Sequence, residues 1–265
     1  MPELAEVERA RREWDPGIGG RVREVFLRGE KRIFRGFDPT EIPRTLTGCV
    51  LLGSEAHGKQ MMFRFAGGSY LGVHLGMTGH LRVERRDHSP ETHDHLVLFQ
   101  AKRALVLRDP RLFGRVTFSA AGPPRFWCDR PPGVTDPAFT RERVAQFLIR
   151  RANSPVKALL LDQTVFPGVG NWMADEILWR AEIHPRRGGG SLDDGEVRRL
   201  WRETRYVARE ALRRIADRGV DPPASWLFSH RWVDGGRCPR TQAGLIRETI
   251  GGRTTCWSPG RQTEP

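Results

Sequence analysis

The sequence lacks any apolar run long enough to cross a lipid bilayer, and its acidic first residues contain no apolar signal-peptide core. Cysteine is rare as well. The chain has only Cys49, Cys128, Cys238 and Cys256, scattered along its length. This usage is typical of a reducing compartment, so we expect a cytoplasmic protein with no membrane partner.

Lysine is nearly absent from a strongly basic chain. The 44 basic residues include only the lysines Lys31, Lys59, Lys102 and Lys157, and the formal net charge is +12. Such an excess of positive charge predicts a polyanionic partner, nucleic acid rather than a membrane. Because the chain otherwise uses arginine, each remaining lysine hints that an amine is required at its position.

The 265 residues are enough for one large or two ordinary domains, and their patterns fall into two parts. In the first part, short apolar runs broken by Gly, Pro and Asp predict the strands 22–27, 50–56, 60–65, 70–75, 80–84, 96–100, 104–108 and 115–118. Strands at this spacing predict a β-sandwich or a barrel. A segment rich in Pro and Gly, residues 122–137, then indicates a linker.

Beyond the linker the apolar period becomes helical. It predicts helices over 141–150, 155–161, 172–181 and 192–218. Ser191 is the expected N-cap of the last helix, which has one apolar face. Near the end of the chain, 245–250 and 253–257 flank Gly251 and Gly252, a pattern that predicts a β-hairpin.

The first residues carry the candidate chemistry. A small second residue, Pro2, favours removal of the initiator methionine and leaves a secondary amine at the chain start. An α-amino group titrates near ~8 against ~10.4 for lysine, and the helix start predicted by apolar Leu4, Val7 and Ala10 disfavours an ammonium ion further. Such an amine condenses with an aldehyde to a cationic iminium, with Glu3 beside it as a candidate acid. The alternative is an ordinary helix N-terminus with proline and acids in its first turn.

A glycine-rich turn at residues 167–171 joins two of the predicted helices. Its glycines allow another group to approach the backbone closely. The helix that begins at Asn171 is expected to aim free N–H groups outward at a nucleic-acid phosphate. The alternative is a tight connection that binds no ligand.

Six short motifs occur in order along nearly the whole chain: MPEL at 1–4, HLGMTG at 74–79, DPRLFG at 109–114, LDQ at 161–163, GVGN at 168–171 and ADE at 174–176. Together they resemble the formamidopyrimidine-DNA glycosylase and endonuclease VIII (Fpg/Nei) family of base-excision repair enzymes. The resemblance implies an α+β multidomain protein. Its parts would be an N-terminal helix plus β-sandwich (1–121), a linker (122–137), a helical helix-two-turn-helix domain that binds DNA (138–236) and a terminal β-hairpin (237–265).

The resemblance also implies catalytic roles. Pro2 resembles the family's Schiff-base nucleophile and Glu3 its catalytic acid, while Lys59 resembles the lysine that assists the lyase step and contacts a phosphate. Arg253 resembles a phosphate clamp that is also implicated in the second elimination. Without the resemblance, Lys59 would be interpreted as a solvated lysine beside a turn.

Two carboxylates, Glu6 and Glu176, resemble residues that organise the family's site. Without the resemblance, Glu176 would be interpreted as a surface carboxylate on a helix.

Contacts to DNA are implied for His74, Met77, His93, Arg111, Phe113 and Asn171. A base must leave the duplex stack before its glycosidic bond can be attacked, and the void it leaves needs an apolar wedge and a cation. Met77, Arg111 and Phe113 fit that requirement, and Asn171 resembles a phosphate clamp. Taken alone, Met77 and Phe113 are equally typical of ordinary core packing.

The finger is where the sequence departs from the family. The family pattern needs two Cys-x-x-Cys pairs, because structural zinc requires four protein ligands. The corresponding positions here are Cys238, Thr241, Ser258 and Arg261, so three ligands are missing. We predict no zinc and no other cofactor, and a zincless finger whose hairpin still presents Arg253. The alternative is a decayed finger in a repurposed paralogue.

The resulting hypothesis is a monomeric, bacterial, nucleoid-associated bifunctional DNA glycosylase and AP lyase. It would act on double-stranded DNA with oxidised bases or abasic sites, by β- and δ-elimination. The alternatives are a non-catalytic paralogue that binds damaged DNA and a general nucleic-acid-binding protein. Residues 217–237 are short for the loop that caps 8-oxoguanine in Fpg-type enzymes, so oxidised purines, oxidised pyrimidines and hydantoins all stay candidate lesions.

Overall fold

The computed structural model describes residues 1–263, and the chain forms two compact units. The first unit comprises Met1–Pro2 and Glu6–Arg130. The second comprises Glu3–Ala5 and the chain from Pro131 onward, so three residues of the N-terminal segment belong to the second unit. In the part of the chain that the structure describes, no helix is both long and apolar enough to cross a membrane.

The first unit contains two four-stranded antiparallel sheets, and the sandwich prediction is confirmed. One sheet has the order β1–β6–β7–β5 and the other β2–β3–β4–β8. The strands are β1 (Glu24–Leu27), β2 (Leu51–His57), β3 (Gln60–Phe65), β4 (Tyr70–His74), β5 (His80–Arg85), β6 (Asp94–Phe99), β7 (Arg103–Arg108) and β8 (Arg115–Ser119).

The core of this unit lies between the two sheets and takes one side of the N-terminal helix α1 (Leu4–Arg12). Val7 of α1 is buried in it, and the ring of Trp14 lies 4.7 Å from that of Phe63. Sequence reasoning missed the short helix α2 (Glu41–Leu46), because six residues are too few to show a helical period.

The predicted linker, residues 122–137, is partly structured. It contains the single-turn helix α3 (Arg125–Cys128), and Trp127 of that helix is buried. The two units divide between Arg130 and Pro131. The segment rich in Pro and Gly therefore contains the boundary between the two units, but part of it is helical.

The second unit is helical and then ends in a hairpin. Its helices are α4 (Arg141–Arg150), α5 (Val156–Leu159), α6 (Asn171–Ala181) and α7 (Asp194–Ala211). The prediction that Ser191 caps α7 is wrong: the N-cap is Asp193, which forms a reciprocal capping box with Glu196. Two bonds favour Asp193, since its side chain accepts from the Glu196 N–H while the Glu196 carboxylate accepts from the Asp193 N–H.

The terminal hairpin has the predicted position and turn. Strand β9 (Ile246–Ile250) pairs with β10 (Arg253–Trp257) in an antiparallel register. Gly251 and Gly252 form the turn, both with positive φ, as the two central residues of such a turn require.

Candidate functional site

Glu3 is buried, and its carboxylate caps the N-terminus of α6. One oxygen accepts from the N–H of Trp172 at 2.9 Å. The other accepts from Gly170 at 2.9 Å and from Met173 at 3.1 Å. Helix N-termini favour anions, so these three bonds hold a carboxylate in one place.

This arrangement corrects the expectation that the turn at 167–171 aims free N–H groups at a phosphate. The N–H groups of Gly170, Trp172 and Met173 are already taken by Glu3. A Cβ on Gly170 would lie 2.2 Å from the carboxyl carbon of Glu3, so only glycine admits this approach. The close approach inferred from the glycines is real, but the group that approaches belongs to the chain itself.

Pro2 precedes this anchored carboxylate directly. Helix α1 begins at Leu4, and the N–H of Leu4 donates to the carbonyl of Gly168 at 3.0 Å. Pro2 is half-buried and lies before the helix. The ordinary helix-start interpretation is therefore insufficient, because Glu3 caps a helix that begins 168 residues later in the chain instead of its own.

Lys59 and His74 lie close together in the first unit. Lys59 sits in the two-residue turn between β2 and β3, and His74 ends β4. Burial lowers the pKa of His74, and the nearby charges of Lys59 and Arg35 lower it further. Since the Gly76 N–H donates to Nδ1 at 3.0 Å, the neutral ring carries its proton on Nε2. The group offers two cations and one N–H donor, a combination suited to a phosphate.

Met77 and Phe113 lie on adjacent exposed loops. Their side chains are 48% and 41% exposed, so the interpretation as core residues is wrong for both. A Cβ on Gly76 would lie 2.4 Å from the backbone of Phe113, which shows how closely the two loops approach. Large apolar side chains held outward in this way suit insertion into a base stack.

The buried Asp109 carboxylate ties these loops together. It accepts from the Thr78 hydroxyl at 2.7 Å and from the Gly114 N–H at 2.7 Å. The Arg111 N–H donates to it at 3.3 Å. A single carboxylate therefore fixes both ends of the exposed loop 110–113 and the loop after β4.

Arginines flank the exposed Phe113 ring. The guanidinium carbons of Arg111 and Arg32 lie 4.7 Å and 5.2 Å from its centre. Arg32 also donates to the carbonyl of Leu112 at 2.7 Å, and Leu112 has a positive φ of 57°. This bond holds a left-handed conformation that is uncommon for a leucine, and so it fixes the direction of Phe113.

His93 belongs to the same loop cluster. Its carbonyl accepts from the N–H of Asp109 at 3.1 Å. The neighbouring His95 is buried, its Nε2 hydrogen bonds with the Asp109 carbonyl at 3.0 Å, and burial lowers its pKa. The structure thus brings the predicted His93 together with the loop that carries Arg111 and Phe113.

Glu176 lies inside the second unit, so the alternative interpretation as a surface carboxylate is wrong. It accepts from the Phe228 N–H at 3.1 Å and from Arg180 at 3.3 Å. Burial raises the pKa of Glu176 to about 7, even though both of these donors lower it. Its contacts fasten the turn at Leu227–His230 to α6. Glu6, by contrast, is partly buried in α1 of the first unit.

The raised pKa of Glu176 predicts a pH-dependent stability. An unfolded glutamate loses its proton near 4.5, whereas this one keeps it to about 7 in the folded chain. The folded state therefore binds more protons between these values, and its stability falls as pH rises through them by about 3 kcal/mol. We expect Glu176→Gln to remove this slope in urea unfolding between pH 5 and pH 8. The exposed Glu142→Gln is the control, and an equal slope in both variants would contradict the assignment.

Asn171 and Arg253, the two predicted phosphate clamps, are brought together. The Asn171 side-chain amide donates to the carbonyl of Thr254 at 2.8 Å. Arg253 is exposed and begins β10 directly after the hairpin turn. A Cβ on Gly251 would lie 2.8 Å from Cβ of Ala158, so the tip of the hairpin packs on α5.

The residues at the four expected zinc-ligand positions do not fit zinc. Cys238 is buried, and its sulfur accepts from Trp179 Nε1 at 3.4 Å. Although burial opposes ionisation, hydrogen bonds from Ser258, Thr241 and Trp179 lower its pKa to about 6. The fourth position is Arg261, a permanent cation that pairs with Glu182 at 2.7 Å. One sulfur, two hydroxyls and a guanidinium are not a closed set of zinc donors.

Several residues of the site had no assigned role from the sequence. Asp109 stood inside a recognised motif, and that position was the available signal. Asp175 likewise stood inside a recognised motif, ADE at 174–176. Arg32 and Arg231 gave no signal, because their partners Leu112 and Asp175 lie 80 and 56 residues away along the chain. Local patterns do not report pairings over such separations.

Two family profiles match the chain. Residues 1–116 match the formamidopyrimidine-DNA glycosylase N-terminal domain, and residues 132–219 match the formamidopyrimidine-DNA glycosylase H2TH domain. The formamidopyrimidine-DNA glycosylase of Roseiflexus sp. is 34% identical over 270 residues, which cover 98% of each chain. That of Thermus thermophilus is 35% identical over 280 residues, covering 100% of this chain and 99% of the relative.

Solved structures of Lactococcus lactis Fpg are similar over almost the whole chain. A complex with DNA containing N7-benzyl-Fapy-dG has a TM-score of 0.87 at 26% identity and covers 99% of this chain and 100% of the other. A complex with abasic-site DNA has a TM-score of 0.84 at 27% identity, with the same coverage. With motifs, fold and both domain profiles in agreement, the chain belongs to the formamidopyrimidine-DNA glycosylase family of DNA repair enzymes.

Proposed function

We propose that the protein is a bifunctional DNA glycosylase and AP lyase that removes oxidised bases from double-stranded DNA through its N-terminal proline. One observation carries the proposal: Pro2 is followed directly by a buried carboxylate that three N–H groups hold in place. A reactive amine next to an immobilised proton carrier is the pairing that amine catalysis needs.

In the proposed reaction, the Pro2 nitrogen attacks C1′ of the damaged nucleotide after Met1 has been removed. Glu3 takes the proton that the Pro2 nitrogen loses and passes it to the sugar ring oxygen, the base departs, and the opened sugar forms a cationic iminium with Pro2. The iminium draws electrons from C2′, which loses a proton as the 3′ phosphate leaves. A second elimination removes a proton from C4′ and expels the 5′ phosphate, and water then hydrolyses the iminium and frees Pro2. Every step uses acid–base and covalent chemistry of the chain itself.

Recognition of DNA in this proposal rests on two groups in the first unit. Lys59 and Arg35 would neutralise a phosphate, and the neutral ring of His74 would donate its N–H to that phosphate. Met77 and Phe113 would enter the stack in place of the extruded nucleotide, while Arg111 pairs with the base left behind. The similar Lactococcus lactis protein has been solved with DNA that carries Fapy-dG, an oxidised pyrimidine or an abasic site, and this supports duplex DNA with such lesions as the substrate.

The second elimination is assigned to the hairpin. Arg253 begins β10, and the adjoining Thr254 carbonyl is fixed by Asn171. A guanidinium in this position would hold the 5′ phosphate and stabilise the charge that develops as it leaves. Loss of Arg253 should therefore stop the reaction after the first elimination.

Borohydride trapping tests the proposal. Purified protein, whose intact mass first establishes the removal of Met1, is incubated with abasic-site duplex and sodium borohydride. We expect a stable covalent adduct joined at Pro2, identified by mass spectrometry of the N-terminal peptide. Lesions of the oxidised purine, oxidised pyrimidine and hydantoin classes, each opposite all four bases, then define which bases are removed.

The altered finger gives one specific reason to keep a second candidate, a paralogue that binds damaged DNA without catalysis. Such a protein would bind abasic-site duplex with strong salt dependence. It would form no adduct after borohydride treatment, even with Met1 removed. The same experiment therefore separates the two candidates.

Phe113→Ala should impair removal of a base much more than cleavage at an abasic site. The ring fills the void when an intact nucleotide is extruded, whereas an abasic site leaves no base to extrude. We expect base removal to fall about tenfold to a hundredfold, and abasic-site cleavage to change less than about threefold. Single-turnover rates on matched lesion and abasic duplexes measure both.

Phe126→Ala is the matched control, because Phe126 is exposed to a similar extent in the first unit but lies in α3. Equal losses in the two reactions for Phe113→Ala would contradict the wedge assignment.

A further inference from the structure

The terminal hairpin is fastened to the second unit by one face of α6. Asn171, Asp175 and Trp179 follow each other at intervals of four residues, so they line one side of that helix. Each of the three makes a direct hydrogen bond to the finger segment, which is the part of the sequence from residue 237 to residue 265. We refer to these three residues as the α6 row.

Two members of the α6 row bond to the backbone of β10. Asn171 donates to the carbonyl of Thr254 at 2.8 Å, and Asp175 accepts from the N–H of Cys256 at 3.0 Å. These groups belong to alternate residues of the strand, and alternate residues direct their main-chain polar groups to the same edge. The side chains of α6 thus hydrogen bond to the unpaired edge of β10. A two-stranded sheet has only marginal stability by itself, so these bonds are expected to stabilise the hairpin.

Asp175 is also the centre of a buried charge cluster. One of its oxygens accepts from Lys157. The other accepts from Arg231 Nε at 3.1 Å, in addition to the Cys256 N–H. All three charged side chains are at most 5% exposed, and burial and the charge of Arg231 lower the pKa of Lys157. Without Asp175, the buried cations of Lys157 and Arg231 would lose a carboxylate that hydrogen bonds to both of them.

The third member, Trp179, contacts residues at the positions where the family pattern predicts metal ligands. Its indole N–H donates to Cys238, and the guanidinium carbons of Arg240 and Arg261 each lie 5.0 Å from its ring. Arg261 is fixed in turn by Glu182. Cys238 and Arg261, two of the four residues at ligand positions, therefore pack on a tryptophan ring.

We propose that the α6 row holds the finger segment in place without a metal ion. We propose further that Asp175 is the positioning residue that keeps Arg253 where it can bind the 5′ phosphate of the damaged nucleotide. The second part of this proposal rests on the proposed function. The first part concerns the fold alone and is tested separately.

The contacts around the hairpin tip connect Asp175 to Arg253, so a change at Asp175 is expected to move Arg253. Asp175 fixes Cys256, Asn171 fixes Thr254, and the turn glycine Gly251 packs against Ala158. Ala158 adjoins Lys157, whose amine donates both to Asp175 and to the carbonyl of Asn171 at 2.8 Å. Of these three supports of the tip, one is Asp175 itself and the other two are connected to Asp175 through Lys157.

Asp175→Asn provides the test, since it keeps the size of the side chain and removes its charge. The rate of hydrogen–deuterium exchange in the peptide containing Cys256 measures how firmly the hairpin is held against α6. We expect its exchange to quicken about tenfold or more, with sheets of the first unit unaffected. The wild-type protein should give the same exchange pattern and melting temperature with and without EDTA or 1,10-phenanthroline.

The ratio of δ-elimination to β-elimination product formed from an abasic-site duplex tests whether Arg253 is correctly positioned. In Asp175→Asn the δ-elimination product should fall about tenfold relative to the β-elimination product. The borohydride adduct at Pro2 should form to within about twofold of the wild-type yield, because the N–H groups of Gly170, Trp172 and Met173 hold the Glu3 carboxylate in place.

Asp234→Asn is the matched control. Asp234 lies just before the finger segment and pairs with Arg247 of β9 at 2.7 Å, and its side chain is exposed. It should change neither exchange nor product ratio. Trp179→Phe is a second variant for the case that Asp175→Asn does not fold. It removes the indole donor and one of the two fused rings, and it should quicken exchange around Cys238.

Unchanged exchange in both Asp175→Asn and Trp179→Phe, or a wild-type hairpin that loosens with chelator, would overturn the proposal. Faster exchange with an unchanged product ratio would overturn the role of Asp175 in placing Arg253. A wild-type protein that forms no adduct would refute the proposed function and still leave the exchange experiment decisive for the finger.

Discussion

Replacing Pro2 with glycine is expected to reduce formation of the borohydride adduct and overall base removal by about a hundredfold or more. Glycine is small enough for Met1 still to be removed, so the chain would begin with a primary amine in place of the secondary one. Its imine must gain a proton before it carries the positive charge that a proline iminium has permanently. The secondary amine also has less conformational freedom, and so it is better aligned for attack.

Three measurements on the glycine variant separate chemistry from binding. Intact mass shows the processed N-terminus, trapping yields measure the covalent step, and affinity for uncleavable abasic-analogue duplex measures binding. Pro2→Leu is the companion variant, because a large second residue retains Met1 and displaces the amine by one residue. Undiminished trapping by Pro2→Leu would place the nucleophile elsewhere in the chain.

Glu3→Gln is expected to lower base removal by about a hundredfold to a thousandfold and also to weaken the fold. A carboxamide has one acceptor oxygen, so its nitrogen must face at least one of the N–H groups of Gly170, Trp172 and Met173. Losing one buried hydrogen bond costs about 1–3 kcal/mol. Loss of the proton carrier accounts for the larger effect on rate.

The two effects of Glu3→Gln are distinguished by comparing substrates. Cleavage at a preformed abasic site needs no departure of a base, so it should suffer less than base removal in single-turnover kinetics. Urea unfolding reports the structural cost. Glu13→Gln, an exposed carboxylate just after α1, is the control and should alter neither quantity. Equal rates for Glu3→Gln and wild type on a lesion-bearing duplex would exclude Glu3 from catalysis.

Local patterns were sufficient for most of the secondary structure. Strand β3 and helix α4 have the predicted bounds, because each has a clear period and a clear stop at both ends. The final hairpin followed from its two glycines in the same way. The cap of α7 was misassigned since Ser191 and Asp193 are both good caps, and only the bond between Asp193 and Glu196 decides between them.

Burial was harder to predict than helix or strand. The alternative interpretation of Glu176 as a surface carboxylate is wrong, since Glu176 is wholly buried, while Met77 and Phe113, which suited a core equally well, are exposed. Composition indicates which residue types usually lie inside, but a functional loop reverses that preference when other residues hold it in place. Here Asp109 and Arg32 hold the loop in place, and only Asp109, which stands inside a recognised motif, had a visible sequence signal.

The sequence by itself determined the order of strands and helices, the place of Pro2 directly after the initiator methionine, the excess of positive charge and the absence of three zinc-ligating residues. Tertiary structure alone decided that Glu3 caps α6 and that Asp175 meets Lys157, Arg231 and β10. The physical reason is separation along the chain. Periodicity reflects neighbours within a few residues, whereas Glu3 and Trp172 are 169 residues apart and meet only when the chain has folded.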